Sequence, residues 1–455
     1  MKSCVAPRSQ TETGRSMRRG ACPSLAAPMR TGDGLLVRLR PAIDGLTPAG
    51  LRALAEAAAA CGSGIIEITA RGNLQIRGLT ASTVPNLAAA IGEAGIALAD
   101  GVAIETPPLA GIDASEIADP RPLAAALRAA IADRRPTFVL APKLSIVIDG
   151  RGRFHLRDVA ADLRLEARNS DDGLRWLLSL GGAARQERPV ALLETERVVA
   201  AVTEVLAELD ALGAAARGRD LDADRIRQRF SADRDILPAP GGGALPFLPA
   251  GIHDFGDGRI VLGVAPAFAQ TDSANIIAFL QRAEELGASE IRFAPRHGIL
   301  VLGLSSEAAA VAQRIALSQG FVVAADDPRN HIATCAGLAC ASALMDTKAT
   351  ARLLVEVGAD LLDGSLAIHL SGCAKGCARP KPSALTLVGA PSGYALVVNG
   401  AASVAPSAYR DENGIRTALA RLNALVRENK DAGESALSCL TRLGTARIVV
   451  AFEQG

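Results

Sequence analysis

The chain of 455 residues is poor in aromatic side chains: one Trp, two Tyr and ten Phe, 3% in all. A surface that stacks nucleic-acid bases needs aromatic platforms, and little is available to build one. Excess charge is missing too, because 49 Lys and Arg meet 48 Asp and Glu for a formal net charge of +1. No bulk field gathers nucleic acid or an anionic membrane, so neither is an expected partner. Charge interrupts the apolar runs well short of a bilayer's thickness. Residues 1–30 carry Lys2, Arg8, Arg15, Arg18, Arg19 and Arg30 without an apolar centre, which does not make a secretory signal. Cysteine is sparse: eight in a chain of this length cannot form a disulfide scaffold, and a reducing, cytoplasmic compartment is expected. Finally, no G-x-G-x-x-G follows a predicted strand, so no Rossmann-type dinucleotide site is expected.

Four of the few cysteines are grouped. The alternating run Leu366–Leu370 reads as a half-buried strand, and it delivers Ser371-Gly372-Cys373-Ala374-Lys375-Gly376-Cys377. Upstream stands Cys335-Ala336-Gly337-Leu338-Ala339-Cys340. Two pairs of thiols can give four thiolates to one soft metal centre, the ligand set of an iron–sulfur cluster. A structural zinc site and inert core cysteines are the alternatives. A C-x3-C pair in a Gly-rich turn carrying Lys and Arg fits a cluster better than zinc. Cys4, Cys22, Cys61 and Cys439 read as structural.

The length allows two to four domains, and an internal repeat sets their arrangement. Gly287–Arg296 lies 225 positions after Gly62–Arg71, and at that offset Gly303 matches Gly78 and Gly320 matches Gly95. A second correspondence, 222 positions apart, aligns Leu144–Gly150 with Leu366–Gly372. These give an A–B–A′–B′ order of α+β class: a basic extension 1–30, A over 31–105, B over 106–240, A′ over 241–327 and B′ over 328–455. In B the positions of Cys373 and Cys377 are held by Arg151 and His155, so one half lacks the thiols. Residues 213–236 read as a charged, solvated helix, and Leu237–Gly243 as a linker.

This repeat, with its cysteines in the last module, resembles the sulfite/nitrite reductase superfamily over about residues 30–430. Thr69-Ala70-Arg71-Gly72-Asn73-Leu74-Gln75 is similar to the family's T-x-R-x-x-x-Q strand–turn, and Ser371–Cys377 to its S-G-C-x-K-x-C signature. Arg19–Pro23, Thr31–Leu36, Pro108–Asp113 and Ala141-Pro142-Lys143 most resemble the branch formed by the precorrin-3B synthases of aerobic cobalamin synthesis. The first cysteine pair is C-x4-C, one residue shorter than usual in the superfamily. The Asn-Arg-Asn of sulfite reductases is replaced by Val102-Ala103-Ile104-Glu105.

The resemblance implies two ferredoxin-like half-domains and two α/β sulfite-reductase-like domains related by a pseudo-twofold axis. It implies a [4Fe-4S] cluster on Cys335, Cys340, Cys373 and Cys377. It also implies monooxygenation of precorrin-3A at C20 with γ-lactone formation, using O2 and NADH. Electrons would arrive indirectly through a reductase or small carrier, and a mononuclear non-haem iron would take part, with His155 a possible ligand. Tetrapyrrole carboxylates call for cations, preferably Arg. Arg38, Arg71, Arg77, Lys143, Arg296 and Lys375 are the candidates. A sirohaem-dependent sulfite or nitrite reductase is the alternative enzyme.

Overall fold

The computed structural model describes residues 23–42, 45–134, 138–183, 186–230, 248–256 and 258–454. Most of the basic extension, with Cys4 and Cys22, and the 237–243 linker lie outside the described residues. In A, β1 (Met29–Thr31), β2 (Gly34–Leu39) and β3 (Gly45–Leu46) precede α1 (Pro48–Cys61), β4 (Ile65–Ile68), β5 (Leu74–Leu79) and α2 (Val84–Glu93). Thr47 caps α1 by accepting the Gly50 N–H at 3.0 Å, and Pro48 occupies the first turn, where a missing donor costs nothing. B contains β6 (Ala103–Glu105), α3 (Arg121–Asp133), β7 (Ser145–Asp149), β8 (Leu163–Ser170), β9 (Gly173–Leu180), β10 (Arg188–Leu193), α4 (Thr195–Leu212) and α5 (Ala223–Phe230).

A′ repeats A with β11 (Gly251–Asp254), β12 (Ile260–Pro266), β13 (Gln270–Asp272), α6 (Ser273–Glu285), β14 (Glu290–Ala294), β15 (Gly298–Leu302), α7 (Ser306–Ser318) and β16 (Phe321–Val322). B′ repeats B with β17 (Ile332–Thr334), α8 (Thr347–Val357), β18 (Ile368–Ser371), β19 (Ser383–Ala390), β20 (Gly393–Gly400), β21 (Ala408–Arg410) and α9 (Ile415–Asn429), then adds α10 (Ala436–Glu453).

Each A-type sheet is completed by the other half. The first runs β1-β2-β5-β4-β13, and the second β11-β12-β15-β14-β3. Gln270 pairs with Glu67 as Gly45 pairs with Arg292, so the exchange obeys the repeat residue by residue. Helices α1 and α6 pack together, and buried residues from Val37 to Val323 form one shared core. B and B′ each hold a mixed five-stranded sheet with its own core.

Two readings change. Strand β6 pairs in parallel with β7, so residues 103–105 belong to the B sheet rather than to A. Residues 213–230 are not a solvated helix: Leu221 and Ile226 are buried in the B core, and Arg227 donates to the Pro189 carbonyl at 2.8 Å.

Candidate functional site

The two cysteine loops leave neighbouring strand ends. Parallel pairing sets Thr334 opposite Leu370, so the chain enters Cys335 and Gly372 side by side. Backbone bonds then lace the loops: Cys335 N to Leu370 O at 3.3 Å and Leu344 N to Gly372 O at 2.7 Å. The Cys335 sulfur accepts the Gly372 N–H at 3.1 Å and the Gly337 N–H at 3.5 Å. A Cβ at Gly372 would stand 2.8 Å from the Ala343 Cβ, so the approach requires glycine. Cys335, Cys340 and Cys373 are half-buried and Cys377 is exposed.

Burial raises the Cys377 thiol, and the Cys373, Cys335 and Cys340 thiols raise it further, so all four stand within electrostatic reach of one another. Mutual repulsion of this kind is relieved when thiolates bind metal. Backbone N–H groups directed at sulfur are a lever on cluster potential. The donor set therefore fits an iron–sulfur cluster. Among the described residues no three His, Cys, Asp or Glu side chains converge on a single-ion position. Ligands of a multi-iron cluster stand farther apart than those of one ion.

The first cysteine loop rests on A, the half-domain of the opposite repeat. Arg77 is 3% exposed and reaches across to donate to the Ala339 carbonyl at 2.8 Å, between Cys335 and Cys340. The Gly32 N–H meets the same oxygen at 3.1 Å. Arg77 is held in turn by Asp33 at 3.1 Å and Glu67 at 3.4 Å. Around it, cross-strand register sets Arg38, Gln75, Glu67 and Gln270 in one row. Arg38 donates twice to Gln75 Oε1, at 3.1 and 2.7 Å, and Gln75 donates to Glu67 at 2.6 Å.

In A′ the equivalent row reads Gly263, Leu300, Arg292 and Gly45. Leu300 and Leu302 pack there with Leu109 and Phe154 of B in a closed apolar cluster. Arg292 donates to the Pro108 and Ala110 carbonyls, at 3.1 and 3.3 Å, much as Arg77 does to the cluster loop. One of the two pseudo-equivalent faces is thus polar and carries the thiols; the other is plugged.

Carboxylates do in B what thiols are placed to do in B′. Asp149, fully buried, accepts the Arg151 and Leu156 N–H groups, both at 2.8 Å, and Asp113 accepts the Arg153 N–H at 2.6 Å. Arg151 pairs with buried Glu166. Glu116 accepts the Gly111 N–H at 2.8 Å with one oxygen, while the other is buried without a partner. Burial raises its carboxyl from 4.5 to about 7, against the pull of the Gly111 N–H, with Asp113 and Asp119 adding repulsion. The fold then binds more protons than the unfolded chain between those values, so Glu116 makes stability fall as pH rises through 4.5 to about 7. We expect Glu116→Gln to lessen the drop in melting temperature between pH 5 and pH 8; an unchanged drop would discount this carboxyl.

The candidate cations fall into distinct settings. Arg71 grips Glu105 in a fork, at 2.8 and 2.5 Å, and donates to the Ala160 carbonyl at 2.9 Å. Its repeat equivalent Arg296 adopts φ 63°, binds the Ala70 carbonyl through its N–H at 2.9 Å and faces Asp158 at 3.4 Å. Both therefore border the 156–160 loop of B. Arg71, Arg40, Asn73, Glu105, Arg128 and Leu156 line one cleft there. Lys143 is exposed, and Lys375 donates to Ser342 Oγ at 3.0 Å. Arg77 leaves the substrate-binding set because it is buried, with its charge on two carboxylates and a carbonyl. His155 lies on the turn whose Phe154 packs into A′, not with the thiols. Its Nδ1 accepts the Arg157 N–H at 3.4 Å. Sequence reasoning passed over Asp33, Glu67 and Lys348; only Gln75, inside the T-x-R-x-x-x-Q run, carried a signal.

Residues 27–94 match the nitrite/sulfite reductase ferredoxin-like half domain. The chain is 58% identical to a precorrin-3B synthase of a Sinorhizobium species over 459 residues, spanning 100% of this chain and 99% of that protein. The chain belongs to the precorrin-3B synthase family. More distant relatives of the family include an assimilatory ferredoxin-dependent nitrite reductase of Haloferax mediterranei, 24% identical over 79% of this chain and 72% of that protein. The structure of the Mycobacterium tuberculosis NirA protein superposes with a TM-score of 0.68 at 17% identity, covering 91% of this chain and 84% of that one. That likeness shows the fold. Among the described residues no helix is long and apolar enough to cross a membrane.

Proposed function

We propose that this chain is a precorrin-3B synthase, an oxidoreductase that hydroxylates precorrin-3A at C20 and closes a γ-lactone, using O2 and electrons originating from NADH. The observation that carries the reading is full-length kinship with a precorrin-3B synthase, supported by a first cysteine loop that is hydrogen-bonded to A. Cys335, Cys340, Cys373 and Cys377 would hold a [4Fe-4S] cluster, which supplies single electrons when bound. Arg38, Arg71, Arg296, Lys143 and Lys375 would bind the carboxylates of the tetrapyrrole. A separate reductase or small carrier in the cytoplasm would deliver the electrons. A mononuclear non-haem iron would also take part, with His155 a candidate ligand.

The test is anaerobic purification with iron, sulfide and visible spectra, followed by turnover of precorrin-3A under O2. A broad brown absorption with conversion to the hydroxylactone is the expected result. Sharp intense bands would instead reveal sirohaem and return the chain to the sulfite or nitrite reductases.

Arg71→Ala and Arg296→Ala test the cationic grip. Losing a charge-assisted hydrogen bond costs about 1.5–3 kcal/mol, so tetrapyrrole affinity should fall by roughly one to two orders of magnitude. The cluster spectrum should stay as it is. Equal affinity at two salt concentrations would assign these arginines to Glu105 and Asp158 alone.

A further inference from the structure

Lys348, in the first turn of α8, is 8% exposed. Its Nζ rests on two neutral oxygens, the Phe268 carbonyl at 2.5 Å and the Thr334 hydroxyl at 2.7 Å. No carboxylate of the described residues pairs with it. Asp346 Oδ1 is occupied by the Lys348 and Ala349 N–H groups, and Glu67 by Gln75 and Arg77. Burial pushes the ammonium down to about 8, with Glu67 and Cys335 resisting, so it stays largely charged at neutral pH. A buried cation with no carboxylate in direct contact is costly, and its retention calls for further negative charge nearby.

The lysine's position says where that charge belongs. Thr334, its hydrogen-bond acceptor, immediately precedes Cys335. Thr347, its neighbour on α8, donates to the Cys335 carbonyl at 2.9 Å, which clamps this turn to the first thiol. In the half without thiols the corresponding helix, α3, carries arginine instead, and Arg128 donates to the Ile104 carbonyl of β6 at 3.2 Å. An iron–sulfur cluster on four thiolates is a net anion and gains a further negative charge on reduction.

We propose that Lys348 is the buried counter-ion of the cluster, a positioning residue whose charge favours the reduced state and so raises the reduction potential. This rests on the cluster reading above. Its side chain acts through the field at Cys335 and takes no part in ligation. It also lines, with Phe268, Arg329 and Arg352, a cavity of about 350 Å³.

The experiment is an EPR-monitored redox titration of the reconstituted full-length protein as wild type, Lys348→Met, Lys348→Gln and Lys348→Arg, with iron and sulfide counted in each sample. In the Met variant the reduced-to-oxidised ratio at a fixed potential should fall about tenfold, equivalent to 59 mV for a one-electron couple. Arg should restore most of it. If Met disturbs folding, Gln, which keeps a hydrogen bond to the Phe268 carbonyl, is read by the same criterion. A full cluster with an unmoved potential in Met or Gln overturns the proposal. So does cluster loss in all three variants, which would make Lys348 a structural prop. Cluster loss in Met and Gln with retention in Arg supports a requirement for charge. Absence of iron and sulfide from the wild type defeats the cluster reading instead.

Discussion

Cys373→Ser and Cys377→Ser are each expected to abolish the brown absorption and turnover together. A hydroxyl is a poor ligand for a soft metal, and three thiolates with one hydroxyl do not reproduce a Cys4 set. The loss should extend beyond chemistry. Binding a metal centre is also folding free energy for the loops that hold it. Faster amide exchange should therefore appear over 335–345 and 372–379, while the B turn at 150–156, secured by Asp149 and Asp113, should be unmoved. Cys61→Ser and Cys439→Ser are the controls: both lie away from the loops, Cys439 buried in α10, and both should keep full cluster content. Iron and sulfide at the wild-type ratio in either ligand variant would refute the assignment.

A comparably large effect should follow from Arg77→Met, although Arg77 touches no thiol. The substitution strands Asp33 and Glu67 without their cation and leaves the Ala339 carbonyl short of a donor. Breaking a buried pair from one side typically costs about 3–5 kcal/mol. Because the arginine also braces the cluster loop, iron retention should fall along with melting temperature. Burial pushes the Asp33 carboxyl up, but hydrogen bonds from Arg77 and Thr31 outweigh it and hold the group below its ordinary 3.8. The pair's contribution is thus present above that value and lost as pH falls through the folded pKa, so the gap between variant and wild type should narrow in acid. A variant with wild-type melting and iron content would show that the A face does not support the loop.

The repeat, its order and the thiols were legible because they rest on signals that survive in one dimension. Strand alternation, Gly at turn ends and paired cysteines do not depend on distant partners. The exchanged strands β3 and β13 were not legible, since two or three residues have no periodicity to detect. Counter-charges were hidden for a related reason: Glu105 stands 34 residues from Arg71 and Asp33 44 residues from Arg77, and only the fold brings them together. Cations chosen for a ligand therefore included one already spent inside the protein. The surface of α5 is so charged that its buried Ile226 gave no signal, and α10 was passed over, with Gly444 at φ 76° breaking its regularity. Lys348 read as one more helix lysine, because burial is a property of the packed molecule.

The strand exchange bears on how the protein is made. When A emerges from the ribosome, β4 has an open edge, and the segment that closes it, Gln270–Asp272, lies roughly two hundred residues downstream. At a synthesis rate of ~5–20 residues per second that edge waits on the order of ten to forty seconds. Unpaired edges are templates for pairing with other chains. Neither half of the repeat can complete its sheet while the other is absent. A nascent chain stalled or truncated before Gln270 is therefore an aggregation-prone species, and the burden on chaperones falls in the interval between the two halves.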